Sequence, residues 1–213
     1  MVSRIVLFGP PASGKGTQRE LIEEHFRIPG CSTGAMLRTE IEADTELGRE
    51  AQNFLSLGKL VPDELMTLAL EGWLGELGEG FVLDGFPRTV AQAEALDALL
   101  NGWSLSLDAA IYLDVSEAVL EDRTLKRVQC RDCRQIYRLG GSIAGLDSPC
   151  PQCGGELCRR DDDTSETLQL RLAEYRGKTE PLVEYYRMAG TFVRINGDQA
   201  AEFVFKEIAD ALH

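Results

Sequence analysis

A glycine-rich turn near the N-terminus constrains the fold of this chain more than any other feature. Residues 9–15 fit the pattern G-x-x-x-x-G-K. The turn follows a short apolar run at residues 4–8, which predicts a buried strand, and precedes residues 15–26, whose apolar side chains recur at helical spacing. Glycines in this setting let backbone N–H groups converge on phosphate oxygens, and Lys15 can reach the same phosphates. A turn that binds nothing is the alternative interpretation.

The alternation of strand and helix recurs along the rest of the chain. Further strands are predicted at residues 81–83, 109–113 and 192–195, and helices at residues 90–100 and 116–128. This order is typical of an α/β fold in which helices cover a parallel sheet.

Two stretches interrupt that alternation. Residues 32–61 contain helical patterns without a strand between them, as an inserted helical flap would. Residues 128–160 are rich in cysteine and glycine and lack the apolar spacing of a core element. We interpret the second stretch as a small module that is stabilised by something other than hydrophobic burial.

Four cysteines of this module have the spacing of a metal site. The pairs Cys130-x-x-Cys133 and Cys150-x-x-Cys153 are separated by 16 residues, which fits structural zinc sites. Four thiolates leave no coordination position for water, so the metal would be structural. Disulfides or free thiols are the alternatives, although a reducing compartment disfavours disulfides. Arg134 stands where a glycine would favour the turn after the first pair.

The charge and the N-terminus exclude other classes of protein. A net charge of -13 would repel a polyanion over most of the surface, which argues against a nucleic-acid binder. The N-terminal apolar run is too short for a signal-peptide core or a membrane span. We therefore expect a cytoplasmic protein without nucleic-acid or membrane partners, and we expect a monomer.

An acidic residue follows the strand predicted at residues 81–83. Asp84 begins the sequence Asp-Gly-Phe-Pro-Arg. Ligands of open parallel sheets bind outside the carboxyl ends of the strands, so Asp84 is expected to face the same crevice as the glycine-rich turn. Because Mg²⁺ takes few protein ligands, Asp84, Thr17 and phosphate oxygens can suffice to hold it. A turn or helix-cap aspartate is the alternative.

Taken in order, these motifs resemble the adenylate kinases, within the nucleoside monophosphate kinase family. The matching segments span nearly the whole chain: residues 9–17, 32–38, 58–64, 83–89, 122–123, the four cysteines and residues 160–163. The resemblance implies reversible transfer of the terminal phosphoryl group of Mg-ATP to AMP, giving two ADP. It also implies a P-loop core with a five-stranded parallel sheet (1–31, 62–128 and 162–213), an AMP-binding flap (32–61) and a zinc-binding lid (129–161).

The resemblance also implies a role for individual residues. Contacts with ATP are implied for Ala12, Ser13, Gly14, Lys15, Gly16, Thr17, Arg123, Arg127, Ile136, Tyr137 and Gln199. Contacts with AMP are implied for Thr33, Arg38, Lys59, Leu60, Val61, Gly85, Phe86, Pro87, Arg88, Gln92, Arg160 and Arg171. Catalytic roles are implied for Lys15, Asp84, Arg88, Arg123, Arg160 and Arg171, and zinc ligation for the four cysteines.

The residue types suit these roles. The planar guanidinium groups of Arg38 and Arg88 fit a phosphate, and the amide of Gln92 can pair with an adenine edge. Arg123 and Arg127 are four residues apart on a predicted helix and can converge on one anion. The alternative for Arg127 and Arg171 is pairing with nearby carboxylates.

Two other functions stay open at this point. A kinase of the same family with another base preference is one, because the motifs do not fix the choice among AMP, UMP, CMP and GMP. A regulatory binding protein that combines a zinc ribbon with a P-loop is the other, although Asp84 and Arg88 would then lack a purpose.

Overall fold

The computed structural model describes residues 3–55, 61–75, 80–141, 143–160 and 162–212. In chain order the elements are β1 (Arg4–Phe8), α1 (Lys15–Phe26), β2 (Gly30–Ser32), α2 (Thr33–Glu42), α3 (Glu46–Leu55), α4 (Asp63–Gly75), β3 (Phe81–Asp84), α5 (Val90–Gly102), β4 (Ala109–Asp114), α6 (Glu117–Lys126), β5 (Arg127–Cys130), β6 (Ile136–Arg138), β7 (Leu157–Cys158), α7 (Ser165–Lys178), α8 (Leu182–Ala189), β8 (Phe192–Asn196) and α9 (Ala201–Ala211).

The central sheet has five parallel strands in the order β2-β3-β1-β4-β8. In its register Leu7 of β1 pairs with Asp84 of β3, and Phe8 pairs with Tyr112 of β4. The carboxyl ends of β1 and β3 therefore lie side by side, and so do the loops that follow them. The predicted α/β fold with a five-stranded parallel sheet is confirmed.

The core lies on both faces of this sheet. Val6 and Phe8 of β1 pack into one apolar cluster, and Ile5 and Leu7 pack into another. The alternation arises because successive side chains of a strand point to opposite faces. Burial of each such side chain contributes about 1.5–3 kcal/mol, so β1 is held firmly and gives the loop after it a rigid support.

Helices α2 and α3 lie in the stretch that was predicted to be helical. The turn between them is tight: a Cβ atom on Gly48 would lie 2.1 Å from the carbonyl oxygen of Glu40. Only glycine permits this approach of the two backbones. The Gly48 N–H donates to Thr45 Oγ1 at 3.0 Å, which caps the start of α3. The limits of the flap and of the other two domains stay predictions.

A second, smaller sheet is antiparallel, with the strand order β6-β5-β7. Its small core contains Val128, Ile143 and Leu157 together with Cys130 and Cys150. So little buried apolar surface is a weak basis for independent stability, which agrees with the expectation of an additional constraint.

The boundary between α6 and β5 corrects one prediction. The sequence pattern predicts a helix through residue 128, but α6 ends at Lys126 and Arg127 is already extended, with φ −71° and ψ 135°. Arg127 begins β5 and is not one helical turn beyond Arg123 on the same helix. The argument that the two arginines share a helix face is therefore wrong.

Among the described residues, no helix combines the length and the apolar character that a membrane crossing requires.

Candidate active site

A cavity of about 890 Å³ opens at the carboxyl edge of the central sheet and extends to the small sheet. Its lining includes most of the residues predicted for the site: Ala12, Ser13, Gly14, Lys15, Gly16, Thr17, Arg38, Asp84, Gly85, Pro87, Arg88, Arg123, Arg127, Ile136, Tyr137, Arg160, Arg171 and Gln199. Residues that are up to 187 positions apart, from Ala12 to Gln199, are thus brought to one cavity.

The loop between β1 and α1 forms one wall of the cavity. Gly9 has φ +143°, and a Cβ atom there would lie 2.7 Å from the carbonyl oxygen of Leu113. Gly14 has φ +98° and immediately precedes α1. Both positions require glycine, so the loop can pass close to β4 and turn its backbone into the helix. The N-terminus of α1 then carries partial positive charge toward the cavity.

Lys15 lies across this loop. Its Nζ donates to the carbonyl oxygens of Gly9 at 3.0 Å and Pro10 at 2.8 Å, and to Ser13 Oγ at 3.2 Å. Burial lowers the pKa of Lys15 to about 8 from an ordinary value of 10.5, and the nearby arginines, Arg88 foremost, add to the lowering. Asp84 opposes these effects. An anion beside Lys15 would stabilise its charged form.

Asp84 ends β3 beside this loop. A Cβ atom on Gly16 would lie 3.6 Å from Asp84 Oδ2, so the carboxylate faces the first turn of α1, and Thr17 of that turn lines the same cavity. A carboxylate and a hydroxyl beside a phosphate-binding loop are the oxygen donors that Mg²⁺ takes. The donor set therefore fits Mg²⁺.

The loop after β3 holds Arg88 at the cavity. Gly85 has φ +88°, and a Cβ atom there would lie 2.6 Å from Thr33 Oγ1 and 3.1 Å from an Arg88 guanidinium nitrogen. Arg88 Nε donates to the Gly85 carbonyl oxygen at 2.8 Å. The bare backbone at Gly85 therefore lets the Arg88 side chain fold back against its own loop.

Arginines from several elements converge on the cavity, and their positive charges repel one another. Burial lowers the pKa of Arg38, Arg88 and Arg171, and it lowers that of Arg160 to about 10. For Arg88 the charges of Arg171 and Arg38 lower it further. A phosphate group placed among them would offset both the desolvation and the repulsion.

Arg123 contacts backbone oxygens at the other end of the cavity. Its guanidinium donates to the carbonyl oxygens of Ser13 at 3.1 Å, Gly197 at 2.7 Å and Gln199 at 3.2 Å. These contacts join α6 to the glycine-rich loop and to the loop after β8. The side chain amide of Gln199 donates elsewhere, to the Asn196 carbonyl oxygen at 3.1 Å.

Two of the arginines also have carboxylate partners. Arg127 Nε donates to Asp163 Oδ2 at 2.8 Å and a second nitrogen donates to Asp163 Oδ1, while the Asp163 side chain is only 1% exposed. Burial acts to lower the pKa of Arg127, but this hydrogen-bonded pair raises it. Arg171 lies 3.2 Å from Asp162 Oδ2. The alternative interpretation, in which Arg127 and Arg171 pair with carboxylates, thus describes real contacts, although both arginines also line the cavity.

Several predicted residues do not line the cavity. Thr33, Val61, Phe86 and Gln92 are buried, with 2–4% of their surface exposed. Lys59 and Leu60 lie outside the described residues.

Other residues of the site were not predicted from the sequence. Gln129 Oε1 accepts from Arg160 Nε at 2.7 Å, and Thr179 contacts the Arg88 backbone. Asp162 and Asp163 lie within the matched segment 160–163, and the alternative interpretation of Arg127 and Arg171 expects carboxylate partners without specifying these two. Gln129 and Thr179 belong to no motif, so the sequence contains no signal for them.

The four cysteines of the small sheet form one cluster. Their Sγ atoms all lie within 4.8 Å of one another, with Cys130 and Cys153 at 3.5 Å and Cys133 and Cys150 at 3.6 Å. A zinc ion with bonds of about 2.3 Å makes a thiolate tetrahedron with edges of about 3.8 Å. The cysteines are free, and their spacing fits a metal ion such as zinc rather than disulfides.

The residues that follow the two cysteine pairs both have a positive φ. Gly154 follows Cys153 with φ +77°, and Arg134 follows Cys133 with φ +64°. The first turn therefore needs the conformation that favours glycine, as expected, and an arginine adopts it at some cost. Arg134 is also paired with Glu42 of α2, at 2.6 Å.

Comparison with known proteins agrees with this geometry. The family model for adenylate kinase matches residues 7–191. The chain is 44% identical to the adenylate kinase of Desulfitobacterium hafniense (strain DSM 10664 / DCB-2) over 98% of this chain and 97% of that one. It is 41% identical to that of Syntrophomonas wolfei, over 98% of both, and 42% identical to that of Archaeoglobus fulgidus, over 96% and 95%. Because the family model covers residues 7–191 and these relatives are 41–44% identical over nearly the full chain, the chain belongs to the adenylate kinase family.

Proposed function

We propose that this enzyme transfers the terminal phosphoryl group of ATP to AMP reversibly, in the cavity described above. The observation that carries the proposal is the convergence of Lys15 and desolvated arginines from several elements on one cavity. Such a group of cations is costly without an anion and suits two phosphorylated substrates that meet end to end. Membership in the adenylate kinase family supports the same reaction.

ATP is proposed to bind on the side of the glycine-rich loop. The backbone N–H groups of residues 12–17 and the Lys15 ammonium would hold its phosphates, with Arg123 and Arg127 beside them. Ile136 and Tyr137 of the small sheet and the loop at Gln199 would contact the adenine.

Mg²⁺ is proposed to bind between Asp84, Thr17 and the phosphate oxygens. When bound, the ion supplies neutralisation of the charge that develops on the phosphates. Asp84 contributes a fixed carboxylate at the end of a buried strand, so its position changes little when the nucleotide enters.

AMP is proposed to bind on the opposite side, with its phosphate held by Arg38, Arg88 and Arg171. Arg160 would lie near the transferring group. The attacking oxygen belongs to the AMP phosphate and is already anionic, so the protein needs no general base. The remaining contacts proposed for AMP involve Thr33, Val61, residues 85–87, Gln92 and, outside the described residues, Lys59 and Leu60.

Zinc is proposed to bind to the four clustered cysteines and to order the lid. Four protein ligands would make this site structural, and closure of the lid would keep water from the transferring group. Reduced thiols fit a reducing compartment, so we also propose a cytoplasmic location. Metal analysis of protein purified without chelator tests the site, and less than about half an equivalent of zinc would contradict it.

A coupled assay of ADP production tests the reaction. With Mg-ATP present, AMP should give rapid turnover, and UMP, CMP and GMP should give much less. Comparable rates with another monophosphate would assign a different base preference. Consumption of ATP that does not depend on any monophosphate would contradict the proposal.

The variants Arg88→Ala and Arg123→Ala test the proposed roles of the cavity arginines. Each should lower turnover sharply, because phosphoryl transfer depends on charge neutralisation, in variants that circular dichroism shows to be folded. Near-normal turnover in either variant would remove that residue from the reaction. Sedimentation in the same buffer tests our further proposal that the enzyme is a monomer.

A further inference from the structure

The backbone of Arg88 is held on both sides by buried side chains. Its N–H donates to Gln92 Oε1 at 2.7 Å, and its carbonyl oxygen accepts from Thr179 Oγ1 at 2.8 Å. Gln92 is 2% exposed and Thr179 is 6% exposed. Gln92 belongs to α5 and Thr179 follows α7, so two separate helices fix the peptide groups of this one residue.

A third residue fixes the orientation of the Gln92 amide. Gln92 Nε2 donates to Asp63 Oδ1 at 2.6 Å, and the other carboxylate oxygen, Oδ2, accepts from Thr89 Oγ1 at 2.9 Å. A carboxylate only accepts hydrogen bonds, so the NH₂ group of Gln92 must face Asp63. Its carbonyl oxygen is thereby directed at the Arg88 N–H, and the reversed amide would be repelled at both ends.

The surroundings of the Arg88 side chain largely oppose its charge, although the nearby Asp84 carboxylate favours it. Burial lowers the pKa of Arg88, and the positive charges of Arg171 and Arg38 lower it further. Arg171 lies on α7, the helix that Thr179 follows. The Thr179 hydroxyl therefore joins the end of the helix that carries the Arg171 guanidinium to the backbone that carries the Arg88 guanidinium.

We propose that Thr179 and Asp63 are positioning residues that hold Arg88 for the reaction. Thr179 acts through the Arg88 carbonyl oxygen, and Asp63 acts through the amide of Gln92. The inference rests on the proposed function of Arg88, which is to bind the AMP phosphate. A small misplacement of such a group is costly in phosphoryl transfer, because positioning supplies much of the rate.

The matched pair Thr179→Val and Thr179→Ser separates positioning from packing. Valine keeps the shape and loses the hydroxyl, whereas serine keeps the hydroxyl and loses a methyl group. We expect Thr179→Val to lower kcat/KM for AMP by about tenfold while KM for ATP stays unchanged, and Thr179→Ser to stay close to wild type. Equal values for the two variants, at matched folding judged by circular dichroism, would overturn the inference.

A second arm asks whether the effect passes through Arg88. In an Arg88→Ala background the guanidinium is gone, so Thr179→Val should cause no further loss of the residual rate. Asp63→Ala should lower kcat/KM for AMP several-fold in the wild-type background and by less in the Arg88→Ala background, where only the proposed contact of Gln92 with AMP can still be disturbed. The same fold loss in both backgrounds would contradict positioning.

The failure of this inference can be distinguished from failure of the proposed function. A wild-type enzyme that does not phosphorylate AMP would refute the function itself. An active wild type with an unaffected Thr179→Val variant would overturn the positioning role alone. If Thr179→Val does not fold, Thr179→Ala removes the hydroxyl without placing a methyl group where the hydroxyl was. A comparison of kcat/KM for AMP between Thr179→Ala and Thr179→Ser then tests the role of the hydroxyl in the same way.

Discussion

The lowered pKa of Lys15 makes the stability of the nucleotide-free enzyme depend on pH. The pKa is 10.5 in the ordinary solvated state and about 8 in the folded protein. Between these values the unfolded chain binds more protons than the folded one, so the free energy of unfolding rises with pH. The gap corresponds to about 3 kcal/mol, which is missing below about pH 8 and fully present above about pH 10.5.

The variant Lys15→Met isolates this contribution. Urea unfolding of wild type and variant is measured from about pH 7 to about pH 10.5, and the difference in free energy is taken at each pH. Other titrating groups are common to both proteins and cancel. As the pH rises, the free energy of unfolding of wild type should increase by about 3 kcal/mol relative to that of Lys15→Met. Saturating Mg-ATP should reduce the shift, because phosphate stabilises the charged lysine.

A difference that stays constant within about 1 kcal/mol over this range would refute the reasoning. Lys178→Met, at a lysine whose side chain is half exposed, is the control for the substitution itself. If it produced the same pH profile as Lys15→Met, the effect would not originate in the glycine-rich loop.

Three further predictions concern the ion pairs and the lid. Asp163→Ala leaves the Arg127 guanidinium without its buried partner and should cost about 3 kcal/mol, a fall in thermal midpoint of roughly 6–12 °C; a fall below about 3 °C would contradict this. Cys153→Ser should reduce bound zinc below about half an equivalent and speed proteolysis within residues 130–160, whereas unchanged zinc would exclude Cys153 as a ligand. Arg134→Gly should raise the thermal midpoint, because relief of the left-handed backbone, about 1 kcal/mol, exceeds the exposed ion pair with Glu42. Glu42→Gln, which removes only the ion pair, is its control. A lower thermal midpoint in Arg134→Gly than in wild type would show that the ion pair contributes more than the relief of the backbone.

The main elements of the fold could be predicted because their signals are local. Strand β1 and helix α1 were predicted with the bounds that the structure has, since periodic apolar spacing and the glycine-rich turn mark them. Strand β2 has three residues, too few for a period to appear. The end of α6 was missed because no glycine or proline follows it, and the pairing of β5 with β6 and β7 ends the helix there.

The candidate site shows the same division between local and distant signals. Lys15 and Asp84 were found through motifs that span a few residues. Thr179 and Arg88 are 91 residues apart, and Arg127 and Asp163 are 36 apart. A single threonine or aspartate at such a distance leaves no pattern in one sequence, because its role exists only after the chain has folded.

The charge of the cavity differs in sign from that of the whole protein, and this contrast bears on which anions can bind. The net charge of -13 repels a long polyanion across the surface. Inside the cavity, screening over about 8 Å makes the nearest charges decisive, and these include Lys15, Arg88 and Arg160. Each is desolvated, and neighbouring guanidinium groups lower its pKa further. A small, highly charged phosphate compound can enter a cavity of about 890 Å³ and relieve these costs, whereas a polynucleotide meets the acidic surface first. The same side chains therefore favour mononucleotides and disfavour nucleic acid.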